Sequence, residues 1–129
     1  MEESGRLELL LEFSRSLPPL PERLADHPEL LEQVVECQSP LFLAVETGDA
    51  PEQAVQLFSS APPEAPTTRG FASVLHEGLN GLPAADILAV PDDVTDRLGL
   101  TRAITPLRMR GMAAMLGRIK RQVREATAA

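Results

Sequence analysis

The stretch LFLAVETGDAPEQAVQLFSS, residues 41–60, decides the fold class of this 129-residue chain. Its first five residues form an apolar run that is typical of a buried strand. Turn-forming residues follow at 47–51, and residues 54–60 then alternate, with Val55 and Leu57 on one face. Two such strands joined by a short turn segment predict an antiparallel hairpin.

Helical patterns surround this hairpin. Apolar residues at helical spacing predict helices over residues 5–17 and 69–79. Short helical turns are expected over residues 22–25 and 28–32, and Pro83 is expected to open a short helix through Leu88. Pro18 forbids continuation of the first helix, because proline lacks the amide donor. Thr67 or Thr68 is the predicted N-cap of the helix that begins near Arg69.

The last helix carries the clearest local signal. Thr105 is a suitable N-cap, and Pro106 suits the first helical position. An apolar stripe then follows on one face, at Met109, Met112, Leu116, Ile119 and Val123. A helix, a short antiparallel sheet and then further helices predict a single α+β domain over residues 1–129.

The charge of the chain is acidic and unevenly distributed. A net charge of -7 argues against nonspecific nucleic-acid binding, because affinity for phosphate comes mainly from Lys and Arg. Residues 1–66 hold 13 acidic and 3 basic side chains, whereas residues 67–129 hold 6 acidic and 9 basic ones. We interpret the basic second half as a protein-docking face. No segment approaches the roughly 20 apolar residues that span a bilayer, so we expect a cytoplasmic protein with no membrane partner.

A single cysteine, Cys37, limits the chemistry of the chain. It excludes an intramolecular disulfide, and with only two histidines it leaves too few ligands for a structural zinc site or a bound iron-sulfur cluster. The glycines form neither a phosphate-binding loop nor a dinucleotide fingerprint. We therefore predict no metal and no bound cofactor.

Cys37 is the candidate nucleophile. It lies in the polar segment Glu36-Cys37-Gln38-Ser39, which Pro40 closes ahead of the first strand. A structural cysteine packed as a small hydrophobe is the alternative, and the local sequence favours neither. The carboxylate of Glu36 disfavours the thiolate, so Cys37 is expected to be less reactive than a protease nucleophile unless a cation or a helix N-terminus compensates.

Three further side chains raise the question of a partner. Arg108 stands in the first turn of the last helix, where a cation gains nothing from the helix dipole, so its partner is either a nearby acid or a functional group. Arg69 poses the same question. His76 could pair with Cys37 as a hydrolase dyad, but no Asn or Asp beside it marks it as an oriented base.

Four segments share one pattern with a known family. They are Leu17-Pro18-Pro19-Leu20-Pro21-Glu22, then Glu36-Cys37-Gln38-Ser39-Pro40-Leu41-Phe42-Leu43, then Arg69-Gly70, and finally Leu100-Thr101-x-x-Ile104-Thr105-Pro106-x-Arg108-x-x-Gly111-Met112-x-x-Met115. In this order, and over nearly the whole chain, they resemble the SufE family of cysteine desulfuration proteins. The resemblance implies a SufE/IscU-like α+β fold, with a short antiparallel three-stranded sheet packed by helices on one side. The family's first N-terminal helix is expected to be missing.

The resemblance also implies a function and a set of site residues. Cys37 falls on the family's persulfide-carrying cysteine, and Arg108 falls on its arginine at the start of the last helix. Glu64 stands where the family usually has Asp, and Glu36 where it commonly has Gly. The implied supporting or partner-contacting residues are Arg108, Glu64, Glu36, Gln38 and Ser39.

The implied partners are proteins. They are a PLP-dependent cysteine desulfurase of the SufS kind, which supplies the sulfur, and a downstream iron-sulfur scaffold, which receives it. One lone thiol suffices for such a transfer, because thiolate attack on a sulfane sulfur needs no metal. The alternative is a noncatalytic module that binds the desulfurase and carries no sulfur.

Overall fold

The structure, a computed structural model, describes residues 3–37, 40–47, 54–95, 97 and 104–127. Within these ranges the chain forms five α-helices and three short strands. The helices are α1 (Glu3–Phe13), α2 (Glu22–Ala25), α3 (Pro66–Leu79), α4 (Ala84–Leu88) and α5 (Pro106–Thr127). The strands are β1 (Glu32–Gln33), β2 (Phe42–Glu46) and β3 (Gln56–Ser60). Short 3-10 turns lie at Pro28–Leu30 and Val35–Cys37.

The sheet has the order β1-β2-β3 and is antiparallel throughout. Phe42 faces Ser60 and Glu46 faces Gln56 across the central pair, so the predicted hairpin is confirmed. The three-stranded α+β architecture is confirmed as well. Its third member, β1, is only two residues long and pairs with the other edge of β2.

Both edges of the sheet are completed by side chains. Because β1 stops after two residues, the Val45 amide of β2 has no strand partner on that side, and it donates instead to Oε1 of Gln122 at 3.0 Å. On the opposite edge the Leu57 amide donates to Oδ1 of Asn80 at 2.7 Å. These bonds satisfy backbone donors that would otherwise lack a partner inside the protein.

The apolar face of α5 packs against the sheet, α3 and α4. Burial of this face removes apolar surface from water, which is the main favourable term in folding. All predicted residues of the stripe are buried, and so is Met115. The core cluster also includes residues of α1, α3 and the strands, and residues of the segments that flank these elements. They are Leu10, Leu17, Val34, Leu41, Leu43, Val55, Leu57, Phe71, Ala72, Leu75 and Leu79.

The pair Arg69-Gly70 joins α1 to α3. A Cβ on Gly70 would lie 2.5 Å from the carbonyl oxygen of Leu10, so only glycine permits this approach. The Arg69 guanidinium donates from Nε to the carbonyl of Ser14 at 3.1 Å and from Nη1 to that of Ala61 at 2.5 Å. The partner of Arg69 is therefore the backbone, and its role is structural.

Two predicted helix boundaries are wrong. The first helix ends at Phe13 rather than Leu17, because the amides of Arg15 and Ser16 turn back to carbonyls three residues earlier and tighten the chain ahead of the prolines. Helix α3 begins at Pro66 rather than near Arg69, with Ala65 at the N-cap position and no side-chain cap. The predicted cap by Thr67 or Thr68 is therefore wrong.

Two other local predictions meet the structure differently. Thr105 does cap α5, since its Oγ1 accepts from the Arg108 amide at 3.3 Å, and Pro106 is the first residue of the helix. Glu32, in contrast, was expected in a helical turn and lies in β1. No helix within the described ranges combines the length and apolar character that a membrane crossing needs.

Gly70→Ala should destabilise the protein by about 1–3 kcal/mol, because the new methyl group would overlap the backbone of α1. Gly78→Ala is the matched control on the same helix, where a Cβ meets nothing within 4 Å, and it should leave stability unchanged or raise it by up to about 1 kcal/mol. Urea unfolding monitored by circular dichroism measures both. Equal unfolding midpoints for the two variants would contradict the close approach of Gly70 to the Leu10 carbonyl.

Candidate functional site

Cys37 ends the 3-10 turn between β1 and β2, inside a loop whose base is closed. Val34 and Leu41 are both fully buried, and the Val34 amide donates to the Leu41 carbonyl at 2.9 Å. The loop therefore leaves and re-enters the core at two adjacent points. Gln38 and Ser39, which the sequence also marks as site residues, lie outside the described residues.

The Cys37 thiol faces α5 at Gly111. Its Sγ lies 3.6 Å from the Gly111 carbonyl oxygen, to which it donates. A Cβ on Gly111 would lie 3.2 Å from that Sγ and 3.1 Å from the Cys37 Cα. The absence of a side chain at 111 is therefore what allows the cysteine turn to rest on the helix.

Gly111 belongs to the motif over residues 100–115, where no role was predicted for it. The signal was available, since glycine inside a helix costs about 1 kcal/mol relative to alanine and is retained where a close approach requires it. The sequence could not identify Cys37 as the group that makes this approach.

An ion-pair cluster holds the cysteine turn to α5. Arg118 donates to Glu32 and to Glu36, at 2.6 Å each. Glu32 also accepts from Arg121 and, at 2.9 Å, from Gln122. One arginine thus joins β1 and the turn that carries Cys37 to the last helix. Arg118 was not among the predicted site residues.

The two carboxylates of this cluster are stabilised as anions. Partial burial of Glu32 opposes ionisation, but the hydrogen bonds from Arg118, Arg121 and Gln122 outweigh it and hold the pKa of Glu32 below its usual value. The hydrogen bond from Arg118 is the main cause that lowers the pKa of Glu36. Both therefore carry negative charge at neutral pH.

The thiol, in contrast, is held in its protonated form. Burial, first, and the negative charge of Glu36, second, raise the pKa of Cys37 to about 11, while Arg118 acts weakly in the opposite direction. The expected effect of Glu36 thus has the right sign, but burial is the larger cause. At pH 7 a thiol with this pKa is ionised in roughly one molecule in ten thousand.

The remaining predicted site residues lie on the surface. Arg108 is exposed, and within the described part of the chain its side chain has no hydrogen-bond or ion-pair partner. Glu64 is also exposed, in the turn before α3. The cation that reaches the described part of the cysteine loop is Arg118 instead, and the roles predicted for Arg108 and Glu64 stay predictions.

The basic half of the chain is partly neutralised from within. Arg118 and Arg121 are paired with Glu32, and Lys120, almost fully buried, donates to the Val90 carbonyl and to Asp92. The expected basic docking face is therefore smaller than the residue counts indicate.

Cys37 and His76 have different surroundings. His76 lines a small cavity with Pro18, Gln56 and Asn80, whereas Cys37 packs against α5. This arrangement offers no support for a hydrolase dyad. Among the described residues there is also no group of three or more His, Cys, Asp or Glu side chains that could hold a metal ion.

Comparisons with known proteins agree over most of the chain. The sequence model of the SufE family, described as an Fe-S metabolism associated domain, matches residues 1–123. An uncharacterized SufE-like protein of Mycobacterium tuberculosis is 60% identical over 126 residues, which cover 98% of this chain and 85% of that protein. A SufE-like protein of Rhizobium etli is 26% identical over 125 residues, covering 96% and 82% respectively. The solution structure of a hypothetical protein from Thermus thermophilus aligns with a TM-score of 0.83 at 36% identity, over 100% of this chain and 89% of that one.

Gly111→Ala should push the cysteine turn away from α5 and make Cys37 react faster with iodoacetamide. Gly117→Ala on the same helix is the control, because a Cβ there meets nothing within 4 Å. Gly117→Ala should raise the free energy of unfolding by about 0.5–1 kcal/mol. For Gly111→Ala the free energy of unfolding should be about 1 kcal/mol lower than for Gly117→Ala, because the new methyl group crowds Cys37. Identical alkylation rates for wild type and both variants would rule out a steric role for Gly111.

The raised pKa of Cys37 should make the protein less stable in alkali. An unfolded cysteine ionises near pH ~8.5, whereas the folded thiol keeps its proton up to a pKa of about 11. Between these values the folded state binds more protons, so stability falls as pH rises. From pH ~7.5 to ~10.5 the wild type should lose about 2 kcal/mol more than Cys37→Ser in urea unfolding. Equal losses would show that the folded thiol titrates normally.

Proposed function

Because the chain belongs to the SufE family, we propose that its single SufE-like domain is a sulfur acceptor that takes persulfide sulfur from a PLP-dependent cysteine desulfurase onto Cys37. It then delivers this sulfur to iron-sulfur cluster assembly. The observation that carries the proposal is the placement of the chain's lone cysteine in a loop that is closed at its base and rests on α5. The PLP belongs to the desulfurase, and the chemistry assigned to this chain uses only its thiol.

The transfer is a thiolate exchange between two cysteines. The Cys37 thiolate attacks the terminal sulfur of the desulfurase persulfide, and a new sulfur-sulfur bond forms at Cys37. The old sulfur-sulfur bond breaks, and its electron pair leaves with the desulfurase cysteine as a thiolate, which can take up the proton that Cys37 gave up. No external oxidant or reductant is required, because one persulfide replaces another.

The sheltered thiol suits a carrier that must not react early. A persulfide is easily reduced or oxidised, so exposure limited to the docked complex favours transfer over loss. In the free protein the thiol is protonated and half-buried. Docking must therefore both expose Cys37 and favour its thiolate. A cytoplasmic location is consistent with such a free thiol and remains a prediction.

The same raised pKa favours one alternative. A thiol that is protonated and packed against Gly111 is also what a structural cysteine would show. In that case the protein would bind and stimulate the desulfurase without carrying sulfur itself.

Mass spectrometry after incubation with a cysteine desulfurase, PLP and cysteine separates the two. The proposal predicts one added sulfur atom on Cys37 in the wild type and none on Cys37→Ser. Stimulation of the desulfurase that is equal for the wild type and Cys37→Ser, with no added sulfur on either, would establish the noncatalytic module. Turnover of an ester or peptide by the isolated protein would instead indicate a hydrolase.

A further inference from the structure

Arg118 holds its two carboxylates unequally. Glu32, with 24% of its side chain exposed, accepts hydrogen bonds from Arg118, Arg121 and Gln122. Glu36, with 43% exposed, accepts from Arg118 and from its own backbone amide, so Arg118 is the donor that ties it to α5. Loss of the Arg118 contacts therefore frees Glu36 from α5 but leaves Glu32 bound to that helix by Arg121 and Gln122.

The loop that carries Cys37 is bounded by two fixed points. Val34 and Leu41 are fully buried and joined by a backbone hydrogen bond of 2.9 Å. The turn Val35–Cys37 follows this base, so it can move outward while β1 and β2 stay paired. Such a movement leaves the sheet paired and removes Cys37 from its packing against the core cluster.

Packing of Cys37 against the core and α5 opposes that movement, together with polar contacts in the described part of the loop. The Cys37 amide donates to the Val34 carbonyl at 3.2 Å, which ties the turn to the base of the loop. The contact from Sγ to the Gly111 carbonyl is long, at 3.6 Å, and a thiol is a weak donor. The charge-assisted bond between Arg118 and Glu36, at 2.6 Å, is the strongest of these polar contacts.

We propose that Arg118 is a positioning residue whose ion pair with Glu36 acts as a latch that keeps Cys37 against α5, while its pair with Glu32 is an anchor that stays closed when the latch opens. The inference rests on the proposed function only for its biological purpose, which is to delay exposure of the thiol until the desulfurase docks. The latch itself is a property of the free protein. A partly exposed ion pair is weak enough for a docking partner to open.

Glu36→Asp is the decisive variant. It keeps a negative charge beside the thiol, so ionisation of Cys37 changes little, but its shorter side chain draws back from Arg118. We expect Cys37 to react with iodoacetamide about fivefold faster at pH ~9, which is the upper range for an exposed ion pair. Glu125→Asp is the matched control, because Glu125 pairs with Arg121 on the exposed side of α5, and it should react like the wild type.

Amide hydrogen exchange then locates the movement. In Glu36→Asp the amide of Cys37 should exchange faster, while that of Val34 keeps its wild-type protection because the base of the loop stays closed. Faster exchange at both amides would mean that the variant loosens the whole sheet edge, which contradicts the latch. Unchanged alkylation and unchanged exchange at Cys37 would contradict it as well.

A double-mutant cycle tests whether Arg118 is the other half of the latch. Arg118→Lys cannot hold both carboxylates in the same forked geometry, so it should also speed alkylation. In the Glu36→Asp background it should add little, because the contact is already lost. Fully additive effects would assign Arg118 a separate, structural role.

The outcome for the latch is independent of the outcome for sulfur transfer. Faster alkylation of Glu36→Asp without any persulfide on wild-type Cys37 would support the latch and overturn the proposed function. Persulfide on wild-type Cys37, with no change in the alkylation rate of Glu36→Asp, would support the proposed function and overturn the latch.

Discussion

The contact between the Cys37 turn and Gly111 is the constraint on which the candidate site depends. α5 buries its apolar stripe against the sheet and α3, and this packing brings a residue without a side chain beneath the cysteine. Any larger residue at 111 would meet the Cys37 backbone and thiol. The burial of the thiol, its raised pKa and the reach of Arg118 to Glu36 all follow from this close approach.

The basic side chains of the second half of the chain fall into two groups, one paired within the molecule and one exposed. Part of the basic second half is used internally, where Arg118 and Arg121 join the last helix to β1. Arg108 and Arg110, in the first turns of the same helix, are exposed and have no ion-pair partner among the described residues. The start of α5 is therefore a basic part of the surface, and Leu107 is exposed beside these arginines.

Sheltering the thiol and suppressing its reactivity are one physical effect. Burial removes Cys37 from water, and the same desolvation disfavours the thiolate. The sequence indicated the smaller contribution, the carboxylate of Glu36, because it lies next to the cysteine in the chain. The larger contribution could not be predicted from the sequence, since it depends on how closely α5 covers the thiol.

What the sequence by itself determined is local. The β2–β3 hairpin and the cap and apolar stripe of α5 are encoded by residues a few positions apart. Cys37 is the candidate nucleophile because it is the one thiol of the sequence, and the motif order identified the family. Only the tertiary structure decided that Gly111 supports the cysteine, that Arg69 binds backbone carbonyls and that Arg118 joins Glu32 to Glu36. The tertiary structure also decided the position of β1, because a two-residue strand has no periodicity of its own. It forms where it pairs with β2 and where Gln122 of α5 donates to Glu32. Cys37 and Gly111 are separated by 74 residues, and Arg118 and Glu36 by 82, so no pattern along the chain couples them. They meet because burying the apolar face of α5 brings this helix against the strands.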